Sequence, residues 1–137
     1  MFQREITVAA AVDNLEAVTA FVDACLEEIG CSPRAQVQLD VAVDELFSNI
    51  AYYAYPERTG EVTLRLEATE EPPCAMLTFI DSGIPYDPLS RADPDTTLSA
   101  EERQIGGLGI YMVKKSMDDV SYAYEDGKNI LKITKRL

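Results

Sequence analysis

The chain has 137 residues, 47% of them hydrophobic, which suits one domain with a single core. Its 24 acidic against 12 basic residues give a net charge of −12, which repels phosphodiester backbones and argues against direct nucleic-acid binding. Histidine is absent, so Ser-His-Asp triads, phosphohistidine intermediates and zinc sites of the usual kind are excluded, and acid–base chemistry falls to carboxylates.

No charged-then-apolar leader precedes Phe2, and no apolar run is long enough to span a bilayer, so a soluble, cytoplasmic protein without membrane contact is expected. Phe2 to Ala9 alternates as a strand. Asp13 or Asn14 can cap a helix carrying Leu15, Val18, Phe21, Val22, Leu26 and Ile29 at helical spacing, ended by Gly30. Ser32 and Pro33 supply a cap and a preset first turn for a second helix, which runs to about Tyr55 and stops at Pro56. Glu61 to Thr69 and Cys74 to Ile80 read as a hairpin turned by Glu70-Glu71-Pro72-Pro73.

From Ile84 to Ile105, prolines and aspartates without apolar period predict a long loop of the kind that serves as a lid. Leu108 to Met117 reads as a third helix. Strands near Val120 to Tyr124 and Asn129 to Lys135 follow, joined at Asp126-Gly127, a strong hairpin signal. The order strand, two helices, two strands, lid, helix, two strands predicts an α/β two-layer sandwich in one domain over 1–137, with helices on one face of the sheet. Cys25, Cys31 and Cys74 are odd in number and match no zinc or CxxC spacing, which favours reduced thiols acting as small hydrophobes. The basic residues of the last third, Lys114 to Arg136, are most simply a solvated helix face and strand edge.

Three motifs carry chemistry. In the second helix, Glu45 and Asn49 stand four apart, so both fall on one face beside the core positions Leu39, Ala42, Val43, Leu46, Phe47 and Ile50. In isolation such a pair is more simply a solvated face. Asp81-Ser82-Gly83 follows a strand, where it is also ordinary turn chemistry. Gly106-Gly107-Leu108-Gly109 opens a helix whose free N–H groups and dipole favour phosphate; it is neither a P-loop nor a dinucleotide fingerprint.

In this order, DELFSNIAYYAYP, FIDSGIPYDPL and ERQIGGLGIYMVKK resemble the N box and the two glycine boxes of the GHKL superfamily of ATPases and kinases. The resemblance is nearest to the small bacterial anti-sigma factors that act as serine/threonine kinases on STAS-domain antagonists. It implies a Bergerat-type fold, with a mixed, mostly antiparallel sheet and an ATP lid at about 84–105. It also implies ATP and Mg2+ as cofactors, Glu45 as general base, Asn49 as magnesium ligand and Asp81 as acceptor for the adenine amino group. Gly83 then lets the base approach the backbone, while Gly106, Gly107, Leu108 and Gly109 close over the phosphates. The implied partners are a STAS-domain anti-anti-sigma protein, a sigma factor and a second copy in a homodimer.

Two positions depart from relatives. Tyr53 stands where many have histidine, and Pro85 follows where histidine-kinase domains usually have another glycine, which favours the anti-sigma branch. Asp40 and Asp44 fit a hydrated face or partner contact, Tyr52, Tyr53 and Tyr55 amphipathic packing, and Arg103 either a phosphate or partner contact or a salt bridge with Glu101 or Glu102, the salt bridge ranking slightly ahead. The expected function is an ATP-dependent protein kinase that also sequesters a sigma factor. The other readings are a non-catalytic nucleotide-dependent binding module and a scaffold without nucleotide.

Overall fold

The computed structural model describes residues 2–90 and 108–137. β1 (Phe2–Ala9) leads through a 3-10 turn at Val12–Asn14 into α1 (Leu15–Glu28) and α2 (Pro33–Tyr53). β2 (Glu61–Glu70) and β3 (Pro73–Asp81) form the first hairpin, and a 3-10 turn follows at Pro88–Ser90. α3 (Leu108–Ser116) precedes the second hairpin, β4 (Asp119–Glu125) and β5 (Lys128–Arg136).

Local chemistry accounts for the boundaries. Ser32 Oγ accepts from the Ala35 N–H (3.3 Å) with Pro33 behind it, which caps α2 as expected. Asn14 caps α1 by position alone; its side-chain amide donates instead to the Ala9 carbonyl (2.8 Å) and pins the turn to the end of β1. α2 ends at Tyr53, two residues short of the expected Tyr55, and Tyr55 is used differently.

The sheet has five strands in the order β1-β2-β3-β5-β4. The expected mixed sheet is corrected on one point: every pairing among the described residues is antiparallel. Both hairpins force antiparallel neighbours, and β3 meets β5 in the same sense, with Asp81 opposite Asn129. One face of the sheet is buried in alternation, broken only by the buried Thr78 of β3 among the described residues: Val62, Leu64, Leu66 and Ala68 on β2, Ala75, Leu77, Phe79 and Asp81 on β3, and Asn129, Leu131 and Ile133 on β5. Against it pack Val18, Val22 and Leu26 of α1, Leu39, Val43, Leu46 and Phe47 of α2, and Ile110 and Val113 of α3. All three helices therefore cover one face, and each large core side chain, such as Phe47 or Phe79, contributes about 1.5–3 kcal/mol by leaving water.

The three cysteines are unpaired: Cys25 is buried in the core, and Cys31 and Cys74 are half-buried. No helix among the described residues is long and apolar enough to cross a membrane.

Candidate functional site

The inward alternation of β3 and β5 ends in two polar residues, Asp81 and Asn129, buried side by side with 5% and 6% of their surface exposed. Asn129 uses its whole amide. Its Nδ2 donates to Asp81 Oδ1 (2.9 Å) and to the Ile84 carbonyl (2.8 Å), while its Oδ1 accepts from the Tyr86 N–H (3.2 Å) and from the Tyr122 hydroxyl. Burial pushes the Tyr122 phenol up, which keeps it a donor at neutral pH. Asp81 Oδ1 takes a second bond from the Gly83 N–H (2.9 Å), and among the described residues no donor is found for Oδ2.

This pair floors a cleft walled by Leu46, Asn49 and Ile50 of α2 and by Ile84, Tyr86 and Leu131. Its walls are mostly apolar and its polar groups converge at one end, the usual build of a small-molecule pocket. Tyr53 lines the mouth with its ring 6.4 Å from that of Tyr86. It is 56% exposed, so it belongs to the cleft rather than to amphipathic packing.

Gly83 is fixed by crowding. A Cβ there would meet the Ala54 carbonyl oxygen and its own Cβ, because the Ile84 N–H donates to that same carbonyl (2.9 Å) and draws the loop onto the end of α2. Only glycine permits this approach.

Earlier in the same helix stand Glu45 and Asn49, both half-buried. The Asn49 amide stands beside the Glu45 carboxylate and favours its charged form. Burial first and the neighbouring Asp44 charge second push the Glu45 carboxyl up, against the opposing effect of that amide. Gly109, in the first turn of α3, lies so close that a Cβ there would fall inside the Glu45 carboxyl group. The structure thus brings Glu45, Asn49 and Gly109 together, and Asn49 reaches the cleft that Asp81 closes. Leu108 opens α3. Gly106, Gly107, Arg103 and the expected lid beyond residue 90 lie outside the described residues.

Asp44 holds Ser48 Oγ at 3.4 Å on the outer face. Asp40 departs from the expected hydrated face. It turns toward α1, shares a hydrogen bond with Asp23, has an unpartnered buried Oδ1, and its carboxyl is pushed up to about 7 by burial and by Asp23.

Sequence reasoning passed over Asn129 and Tyr122 and read Tyr55 as amphipathic packing. The signal for Asn129 is a poor strand former at an inward position of the alternation Asn129, Leu131, Ile133, where an apolar residue is expected.

The family described as "Histidine kinase-like ATPase domain" matches residues 8–135. The chain is 31% identical over 104 residues to the serine/threonine-protein kinase BtrW of Bordetella bronchiseptica, covering 75% of this chain and 72% of that protein. To the serine-protein kinase RsbW of Listeria monocytogenes it is 30% identical over 107 residues, covering 74% and 67% respectively. Among solved structures, the RsbU and RsbW domains of Rv1364c from Mycobacterium tuberculosis superpose with a TM-score of 0.71 at 16% identity. That match covers the whole of this chain and 33% of the other. The histidine kinase domain of Erythrobacter litoralis EL346 gives a TM-score of 0.55 at 13% identity, covering 92% and 60%. The five-stranded antiparallel sheet, the helices on one of its faces and the match over residues 8–135 together place the chain in the histidine kinase-like ATPase family, among the relatives of the RsbW and BtrW serine-protein kinases.

Proposed function

We propose that the chain is an ATP-dependent serine/threonine protein kinase that acts as an anti-sigma factor, sequestering a sigma factor and phosphorylating a STAS-domain anti-anti-sigma protein whose phosphorylation controls release of the sigma factor. In this reading it is one domain and works as a homodimer. The observation that carries the proposal is the Glu45–Asn49 pair, held against the first turn of α3 on the helix that also walls the Asp81 cleft.

The residues fit the implied cofactors. Asn49 lines the cleft, and its side-chain oxygen could serve a hard cation such as magnesium, which keeps several waters and needs few protein ligands. Bound magnesium and ATP would supply the transferable phosphoryl group and neutralise its charge. Asp81, gripped through Oδ1 alone, offers Oδ2 to the exocyclic amino group of adenine, and Gly83 gives the base room. Gly109, with Gly106, Gly107 and Leu108 before it, would present backbone N–H groups to the phosphates at a helix start.

Glu45 accepts the proton of the incoming serine hydroxyl. A carboxyl raised by burial is a stronger base than a solvated one. No covalent enzyme intermediate is required, so positioning and charge neutralisation carry the rate.

The test is calorimetric titration of magnesium-ATP into the wild type and Asn49→Ala, followed by transfer of labelled phosphate to candidate STAS-domain proteins. Saturable, magnesium-dependent binding that Asn49→Ala weakens, with serine labelling that Glu45→Ala abolishes, is the expected result. A folded wild type that shows no heat and no thermal stabilisation at millimolar nucleotide refutes the proposal.

A further inference from the structure

The connection from α2 to β2 makes contacts that chain reversal does not need. Tyr55, just beyond the helix, donates its hydroxyl to the Glu61 carbonyl (2.6 Å) at the start of β2 and accepts from the Ser82 N–H (2.8 Å). Arg58 Nη2 donates to the Ser82 carbonyl (2.9 Å), and its guanidinium lies 5.2 Å above the Tyr55 ring. Gly60 closes the arrangement from below, since a Cβ there would collide with that ring. Both backbone polar groups of Ser82 are thus held by side chains from one short loop, although Ser82 is exposed and water could serve them.

Ser82 is the residue between Asp81 and Gly83. Asp81 leaves the β2–β3–β5 ladders at that point, its Oδ1 tied to Gly83 and Asn129, so the direction of its Oδ2 is set by the backbone of the turn that follows. On one side of the turn stands Asn129, on the other Tyr55 with Arg58. Burial pushes the Tyr55 hydroxyl up, so it keeps the proton it donates to Glu61 and leaves a lone pair aimed at Ser82.

We propose that Tyr55, braced by Arg58, is a positioning residue for base recognition: by fixing the Ser82 peptide it orients the Asp81 carboxylate toward the 6-amino group of the purine. This rests on the ATP reading above. Tyr55 touches no ligand and acts through Asp81. A latch of this kind moves selectivity for the amino group, whereas a residue that only stabilises the fold moves affinity for every nucleotide alike.

Two probes separate these roles: magnesium-ATP and the magnesium complex of purine riboside triphosphate, which lacks the 6-amino group. Each is titrated calorimetrically into the wild type, Tyr55→Phe and Arg58→Met, with folding checked by circular dichroism. The wild type is expected to prefer ATP by about tenfold, the worth of one charge-assisted hydrogen bond. Tyr55→Phe should lose about fivefold in affinity for ATP and less than twofold for the analogue. Arg58→Met keeps a stem over the ring but removes the donor to Ser82, and should shift the preference in the same direction by less. Equal weakening for both probes, or none for either, in folded variants overturns the positioning role. Wild-type protein that binds both probes equally removes Asp81 as the amino reader and the proposal with it, while wild-type protein that binds neither overturns the ATP reading itself. Should Tyr55→Phe fail to fold, an unchanged preference in Arg58→Met overturns the proposal.

Discussion

Replacing Asn129 with alanine removes one side chain and four hydrogen bonds, two donated and two accepted. A neutral hydrogen bond is worth about 1 kcal/mol net, and the one to the Asp81 carboxylate about 1.5–3, so the gross loss is about 4–6 kcal/mol. Water entering from the cleft can replace part of that, because the site opens to solvent on the Tyr53–Tyr86 side, and a net loss of about 2–3 kcal/mol is expected. In a domain of this size each kcal/mol lowers Tm by about 3–5 °C, so Tm should fall by about 6–15 °C. Nucleotide affinity should fall further, by tenfold or more, because Asp81 loses the donor that fixes Oδ1. Differential scanning calorimetry and isothermal titration on the same preparation read both quantities. A Tm within 2 °C of wild type with unchanged ATP affinity, roughly the noise of such comparisons, would refute the view that Asn129 is the hub of the site.

Glu45→Gln should leave magnesium-ATP binding within about threefold of wild type and cut phosphotransfer by at least about a hundredfold, the usual contribution of a positioned base. For the wild type, transfer should rise with pH through a value above the ordinary glutamate range, since only the ionised Glu45 accepts a proton and burial holds its carboxyl up; a flat profile from pH 4 to 8 in the pre-steady-state rate would count against it. Asp40→Asn tests the buried carboxyl pair. A folded-state value of about 7 against an ordinary 3.8 means the fold binds more protons than the unfolded chain between those limits, so wild-type stability declines as pH rises through that window. The full shift would amount to about 4 kcal/mol, reduced by partial exposure to about 1–2, so denaturant unfolding should find Asp40→Asn the more stable protein at pH 8 by that amount, with the gap closing toward pH 4. Gly83→Ala should destabilise by about 1–3 kcal/mol and weaken ATP binding, because the added methyl meets backbone rather than a movable side chain; wild-type stability in urea would contradict the close approach.

The fold was legible because its signals are periodic and local. Alternation in β2 and β3, the Ser32-Pro33 cap and the Asp126-Gly127 turn each act over a few residues and need no tertiary partner. The antiparallel sense of every ladder follows from strand order, which no local pattern states. In the site, the four-residue spacing of Glu45 and Asn49 put them on one face without further information. What stayed hidden depends on contacts distant in sequence. Asn129 meets Asp81 across 48 residues, Ser82 meets Tyr55 across 27, and Asp40 becomes a perturbed carboxyl only because α1 sets Asp23 against it. A tyrosine after a helix and an aspartate on one carry no mark of these partners in the sequence around them.

α2 supports both ends of the candidate site, with Asn49 at one and Ala54, which holds the loop after Asp81, at the other. They stand five positions apart, a rise of about 7.5 Å that does not stretch. The helix therefore works as a gauge that fixes the distance from Asn49 to the loop that follows Asp81. Inserting a single residue between Asn49 and Ala54 would turn one end by about 100° relative to the other, so the spacing of this segment is as much a part of the site as the side chains it carries.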